Sequence, residues 1–339
     1  MLKKAIKKSK DTCFRELSKH KLHLATQKTE AVLITSRKKL ETVELNIDGE
    51  IIKSAPAIRY LGVMLDCRLS FAAHIEMVCG KAMTTYAALA RMMANTYGPS
   101  QKRRVLLSKV VTSVVMYAAP VWAKALNSKK NVRQLNRVFR LCALRVCCGF
   151  RTISHEAAGV IAGLPPADLL VAEITSRYRK RVETRRRITV QELEEITSVT
   201  FSKWQDRWDS SSKGRWTHQL IPDVKRWVER RHGELDFYLT QMISGHGCFR
   251  SYLCKYGHDT SALCGWCSSV YEDAHHIFFE CEALRPNIES ALRRTSTASS
   301  IIGSMLQSPE AWLAVKSLCV SIMLRQRRLE RERNAQRTI

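Results

Sequence analysis

Nowhere in its 339 residues does this chain run for the ~20 uninterrupted apolar residues that a membrane span requires. Its first eight residues are basic, but no apolar stretch comes after them, so a secretory signal is not expected and the sequence reads as soluble and intracellular. Nucleophilic triads, P-loops and dinucleotide-binding fingerprints are all missing, and Gly245-His246-Gly247 is too short to cradle a phosphate. No two aspartates are adjacent anywhere. Nucleotidyl transfer by two metal ions needs clustered carboxylates to hold those ions, so no catalytic residue is assigned. Internal repeats of fixed period are also absent.

Acidic residues are scarce. Fifty-six Lys and Arg face 31 Asp and Glu, which gives a net charge of +25 and a pI near 9.8. Such a field attracts polyanions: nucleic acid first, an anionic membrane surface as the competitor. The basic residues are spread along the chain rather than gathered on one amphipathic helix, which favours nucleic acid over a membrane. The candidate contacts are Arg103, Arg104, Arg177, Arg179, Lys180, Arg181, Arg185, Arg186 and Arg187. A run of this kind is also what a solvated helix face looks like. Trp204, Trp208, Trp216 and Trp227 could stack on bases beside such cations, or could equally be core at helical spacing. An apolar fraction of 45% suits a folded chain of one to three domains.

The pattern predicts an α+β chain, predominantly α. Residues 1–30 look helical and polar, and the run from Ala31 to Thr35 reads as a buried strand. Val43 to Ile47 alternates with period two, Asp48-Gly49 supplies a type I′ turn, and Glu50 to Lys53 completes a hairpin. Ile58 to Asp66 is a further strand candidate. From Phe71 the period turns helical, with Leu106, Val110, Val114, Tyr117 and Val121 on one stripe and Leu135, Val138, Phe139, Cys142 and Val146 on another. Pro120 should kink or end its helix, and Gly149 should stop the second one. Ser154 should cap a short helix that ends at Gly163, and Pro165-Pro166 should open the next. Residues 201–260 show little periodicity, and the last forty residues end in a basic, helical-looking run from Arg325 to Arg333.

Twelve cysteines are present, and one cluster among them has ligand spacing: Cys264-x2-Cys267-x8-His276-x4-Cys281. Three thiolates and one imidazole suit the tetrahedral preference of zinc, and with no open position the site would be structural. His275 is the less suitable neighbour, because only His276 gives the x4 step. The competing reading is two buried Cys pairs with a chance His. The spacing does not fit a finger that reads duplex DNA and is closer to a knuckle of the single-strand-binding kind.

At this point several blocks are recognisable. The block from Gln27 to Arg37, together with Arg59-Tyr60-Leu61-Gly62-Val63-Met64-Leu65-Asp66, resembles the late palm of non-LTR retrotransposon reverse transcriptases. Tyr117 to Ala123 and Phe150 to Pro166 resemble the family's thumb. Lys213 to Thr217, Tyr238 to Gly247 and the Cys-Cys-His-Cys cluster resemble the family's post-thumb region and terminal knuckle. The likeness runs in order from about residue 20 to 290 and is nearest to arthropod jockey-like and ribosomal-DNA-inserting elements.

The resemblance implies a late palm remnant at 1–66, a helical thumb at 67–190, a basic post-thumb linker at 191–260, a zinc knuckle at 261–285 and a basic tail at 286–339. Residues 1–19 would end the palm helix that comes after the aspartate box. Fingers, catalytic aspartates and an endonuclease are expected upstream of Met1, and Mg2+ belongs only to the parent polymerase. That parent would carry out target-primed reverse transcription in the nucleus, with a cytoplasmic stage of assembly on RNA. The expected partners are template RNA, primer and target DNA and the missing upstream part of the same polyprotein, with no membrane. Lys28 sits at the family's post-active-site lysine box, where it would donate a proton to pyrophosphate or simply end a strand. A catalytically dead remnant or a host-adopted binding module is the alternative to a working piece of polymerase.

Overall fold

Strands β2 (Glu44–Ile47) and β3 (Glu50–Ala55) pair antiparallel, with Glu44 opposite Lys53 and Ile47 opposite Glu50. This is the hairpin that the alternating pattern predicts. Gly49 takes φ +85°, as its turn requires, whereas Asp48 lies outside the described residues. The computed structural model describes residues 12, 15–17, 19–21, 25–38, 41–47, 49–284 and 298–337. Most of the helix expected within residues 1–30 therefore lies outside it. Two compact units are distinguished, Met1–Met77 and Val78–Ile339, so the first boundary falls eleven residues beyond the expected one, inside helix α1 (Ala72–Ala90).

In the first unit a short β1 (Ala31–Val32) joins β3 in parallel, giving the sheet order β1-β3-β2. The stretch read as one strand over 58–66 is instead a second hairpin, β4 (Ala57–Tyr60) and β5 (Val63–Asp66), with Tyr60 opposite Val63. Leu61 and Gly62 turn the chain at φ 45° and 84°. Two positive φ values are the two-residue hairpin geometry, but Leu is an unusual first residue for it and hid the turn. Asp66 then closes the loop into α1. Its carboxylate accepts from the N–H groups of Arg68, Ser70 and Phe71 at 3.0, 3.0 and 2.6 Å. Burial pushes its pKa up, but these hydrogen bonds outweigh it and hold the group below its ordinary value.

The second unit is helical: α2 (Gln101–Met116), α3 (Ala119–Trp122), α4 (Lys129–Val146), α5 (His155–Ala162), α6 (Ala167–Thr184), α7 (Val190–Ser210), α8 (Arg215–Leu220), α9 (Val224–Val228), α10 (Phe237–Ser244), α11 (Arg250–Lys255), α12 (Ala298–Met305) and α13 (Pro309–Arg337). The α+β, predominantly α class is therefore observed. Several local signals act as expected. Pro120 restarts the chain after a break at Ala118, φ 51°. The Ser154 hydroxyl accepts from the Ala157 N–H at 3.1 Å, and Gly163 caps α5 in the left-handed region. No single described helix is long and apolar enough to cross a membrane.

Two further expectations, both on the helices α2 and α4, differ from the structure. On α2 the inward face carries Arg104, Ser108, Val111 and Val115, while Leu106 (63%), Val110 and Tyr117 are exposed, as is Val121 beyond the break. That segment is apolar on two faces, so period alone picks either one. At the end of α4 it is Cys148, φ 57°, that takes the left-handed position. Gly149 sits one residue on, donating to Leu144 O at 2.8 Å, where an added Cβ would lie 2.7 Å from Ile153.

Residues 191–260, read as a linker, form α7 to α11 and enter the same core as α4, α5, the cysteine cluster and α13. Trp204, Trp208 and Trp227 are buried in it. The Trp208 and Trp227 indoles donate to Ile221 O at 2.9 Å and Ile161 O at 3.1 Å. Past α7, helices of five to eight residues are too short to show a period, and that is why the segment looked irregular.

Candidate metal centre

The chain enters the cluster on a short antiparallel bridge between Leu263 and Tyr271. Cys264 N–H donates to Val270 O at 2.8 Å, and Ser268 N–H returns to Cys264 O at 2.9 Å, so the Cys-x-x-Cys segment closes on itself with Ser268 at φ 56°. Asp273 caps the next turn by accepting from the His276 N–H at 2.8 Å. A π-helical turn, His276–Glu280, then brings Cys281 back, with its N–H on His276 O at 2.7 Å.

As a result one atom each from Cys264, Cys267, His276 and Cys281 lies within 4.8 Å of the others. The Cys264 and Cys281 sulfurs are 3.9 Å apart, and the Cys267 sulfur is 3.3 Å from His276 Nε2. Bonds of about 2.3 Å to sulfur arranged tetrahedrally put two sulfurs about 3.8 Å apart, so this spacing can hold a metal ion. Cys264, His276 and Cys281 are buried and Cys267 is half-buried. Burial pushes the Cys264 and Cys281 thiols up, whereas hydrogen bonding, first from the Ser269 backbone, holds Cys267 down. Buried thiols resist ionisation unless a cation takes the proton's place. His275 stays outside the cluster, half-exposed, with its ring edge-on to Trp216 at 5.7 Å.

A ring of polar contacts surrounds these four residues, and nothing in the local sequence pattern signals it. Glu272 is fully buried and accepts from the Arg250 and Gly265 N–H groups, both at 2.9 Å. Asp259 accepts from Arg250 Nε at 3.3 Å and from Arg333 Nε on α13 at 3.0 Å. The Arg325 guanidinium lies 3.9 Å over the Trp266 ring. Only the Cys/His spacing was visible locally, because several of these partners lie many tens of residues away in sequence.

The basic candidates separate into three groups. Arg104 is 2% exposed and donates to the carbonyls of Pro99, Met93, Arg145 and Ala94, so its assignment as a nucleic-acid contact is corrected: it is internal scaffolding. Arg177 pairs with Glu173 on α6, while Lys180 and Arg186 pair with Glu192 at 3.4 and 2.8 Å. The Arg186 hydrogen bond, first among the causes, holds Glu192 down to about 2. Arg103, Arg179, Arg181, Arg185 and Arg187 are exposed. Lys28 is exposed in a 3-10 turn, Thr26–Lys28, in the first unit.

No family model matches the chain, and no solved structure matches it. Curated relatives do match. The Retrovirus-related Pol polyprotein from type-1 retrotransposable element R1 of Nasonia vitripennis is 30% identical over 258 residues, taking in 68% of this chain and 75% of that protein. Its namesake from Bradysia coprophila is 29% identical over 254 residues, 70% of this chain and 25% of the relative. The Putative 115 kDa protein in type-1 retrotransposable element R1DM of Drosophila melanogaster is 27% identical over 281 residues, 76% of this chain. The match spans about a quarter of the length of the Bradysia and Drosophila proteins. The chain thus belongs to the Pol polyprotein family of arthropod R1-type non-LTR retrotransposable elements.

Proposed function

We propose that this chain is the part of a retrotransposon RNA-directed DNA polymerase that grips template RNA and primer DNA during target-primed reverse transcription by its parent polyprotein. In this reading residues 1–66 are late palm and 67–190 are thumb, working in the nucleus. The observation that carries it is the exposed C-terminal end of α6. There Arg179, Arg181 and Arg185 are exposed beside Tyr178, 56% exposed, and among the described residues no acid pairs with any of the three arginines. Free guanidinium groups beside an aromatic ring can follow phosphates while the ring meets a base.

Cys264, Cys267, His276 and Cys281 would hold zinc as a structural ion. The fit rests on the donor set and on the 3.9 and 3.3 Å separations. Bound zinc would lock this segment with about 10–16 kcal/mol of apparent binding energy. Because the π-helical turn contributes Ile277 and Phe278 to the shared core, the ion would brace that core rather than order a free tail. Catalysis of polymerisation is not assigned to this chain, which holds no adjacent aspartates. Mg2+ chemistry belongs to the parent.

The test is fluorescence anisotropy of labelled single-stranded RNA and of an RNA–DNA duplex across a salt series. Affinity should fall steeply with salt, and Arg179→Ala with Arg181→Ala and Arg185→Ala should flatten the log–log slope by about 2 to 3. Affinity that does not change between low and physiological salt would sink the proposal.

A further inference from the structure

A cleft of about 590 Å3 opens in the second unit between α2, the end of α5, the last residue of α9 and the loop 229–234 that comes after it. Its charged lining is one-sided: Lys102, Lys109, Arg230 and Arg231 against a single acid, Glu234. Lys102 and Lys109 are seven residues apart on α2, so they share a face about 10 Å in length. Among the described residues, no carboxylate lies within ion-pairing distance of Lys102, Lys109, Arg230 or Arg231.

Arg230 is the unusual member. Its guanidinium lies 4.3 Å over the Trp227 ring and 5.2 Å from that of Trp312, and Nη1 donates to Trp227 O at 2.8 Å. Its Nε is buried with no acceptor. Burial pushes its pKa down to about 10. A desolvated cation of this kind is costly unless an anion arrives from outside.

The loop that carries it is also braced. Leu235 N–H donates to the buried Gln101 Oε1 at 2.7 Å, tying the loop to α2. The Trp312 indole donates to Glu234 O at 3.3 Å, and His232 Nε2 meets Met305 O at 2.8 Å. Gly233, φ +84°, lies so close to Trp312 that a Cβ would sit 2.1 Å from the ring. The cleft is therefore preformed, and binding there need not pay to order it.

We propose that this cleft seats the phosphodiester backbone of a single strand of nucleic acid, with Arg230 as the anchoring cation and Lys102, Lys109 and Arg231 along its flanks. The proposal rests on the nucleic-acid reading above but concerns a different surface, which that reading did not include. A cleft of this size admits a nucleotide or two of one strand and not the width of a duplex. With Nη1 on Trp227 O and Nη2 at 3.5 Å from Gln101 Oε1, the Arg230 guanidinium is fixed in place over Trp227, and its delocalised charge suits a phosphate oxygen. No base-reading role is assigned, so RNA and DNA single strands should both enter.

The experiment measures anisotropy of labelled single-stranded RNA, single-stranded DNA and duplex over a salt series, using the full chain. Lys102→Glu with Lys109→Glu changes only exposed side chains, and Lys203→Glu with Lys225→Glu is the charge-matched control on α7 and α9. The cleft variant should lose about tenfold or more of its affinity for either single strand, and its salt slope should fall by about 1.4. The control should keep the wild-type slope. Arg230→Lys should lose affinity as well, with zinc content and circular dichroism unchanged, because it keeps the charge and removes the planar guanidinium fixed over Trp227.

Equal losses in the cleft variant and the control would overturn the proposal, as would a loss confined to duplex. Displacement of RNA by poly-glutamate at equal charge concentration would overturn it too, since the cleft would then take an acidic peptide. If the wild-type chain binds salt-dependently and the cleft variants bind like it, this inference alone fails. If the wild-type chain binds no nucleic acid at low salt, the functional reading fails with it.

Discussion

Arg333, near the end of the last helix, donates from Nε to the carboxylate of Asp259 at 3.0 Å, across 74 residues of sequence. The same carboxylate holds Arg250, whose backbone N–H is bound by the buried Glu272 beside Cys264. The basic C-terminal helix is thereby clamped to the cysteine cluster rather than free to wander.

Asp259 should make that clamp sensitive to acid. Burial pushes its carboxyl up, but the hydrogen bond from Arg250 and the two guanidinium charges win and hold it below its ordinary value. A depressed carboxylate contributes stability above its unfolded pKa of about 3.9, and that stability is lost as pH falls through the lower folded value. Urea midpoints taken from about pH 5 down to about pH 3 should drop in the wild type and drop less in Asp259→Asn. At neutral pH Asp259→Asn should cost about 3 kcal/mol, because two half-buried cations lose their partner. A neutral-pH midpoint equal to the wild type would show that the clamp carries no load.

Metal content is the second prediction. Metal analysis of the purified chain should return one zinc per chain, and Cys267→Ser should retain well under one. The Trp216 indole packs on His275 and Phe279 at 5.7 and 5.8 Å, so removing the metal should also shift the tryptophan emission. A Cys267→Ser variant that keeps a full equivalent of zinc would refute the ligand set.

Arg104 should matter for stability and not for binding. Four carbonyls are satisfied by one planar fork, and a single ammonium cannot reach them all. Arg104→Lys should lower stability by about 2–3 kcal/mol while leaving the salt slope of RNA binding unchanged. Denaturant melts and anisotropy on the same preparation separate the two effects, and a changed slope would return Arg104 to the binding surface.

Gly233→Ala combines a left-handed backbone with a Cβ placed inside the Trp312 ring. It should cost at least about 2 kcal/mol, read as a lowered Tm. Because the loop also shapes the basic cleft, affinity for single-stranded RNA should weaken even at temperatures where the chain is folded. An unchanged Tm would mean that the loop is free to move away.

How much of this was legible in sequence depends on distance along the chain. The four candidate ligands fall within eighteen residues, so spacing alone was enough to select His276 over His275. Caps and breaks were legible for the same reason: Ser154, Gly163 and Pro120 act on backbone within about one helical turn of themselves. Leu61-Gly62 was the local failure, since a left-handed leucine carries no compositional signal. On α2 two apolar faces competed, and only packing chose Val111 and Val115 over Leu106 and Val110.

The amino-acid sequence by itself determined the family, the helical class, the excess of positive charge and the metal-ligand spacing, because each is a property of composition or of short-range order. The tertiary structure decided which cations are available. It buried Arg104 among carbonyls, paired Arg186 with Glu192 and, among the described residues, left Arg230 without a counter-ion beside Trp227. It also decided that the tryptophans, the cysteine cluster and the last helix share one core. Those outcomes depend on contacts between residues many tens of positions apart, and neither period nor spacing carries information at that range.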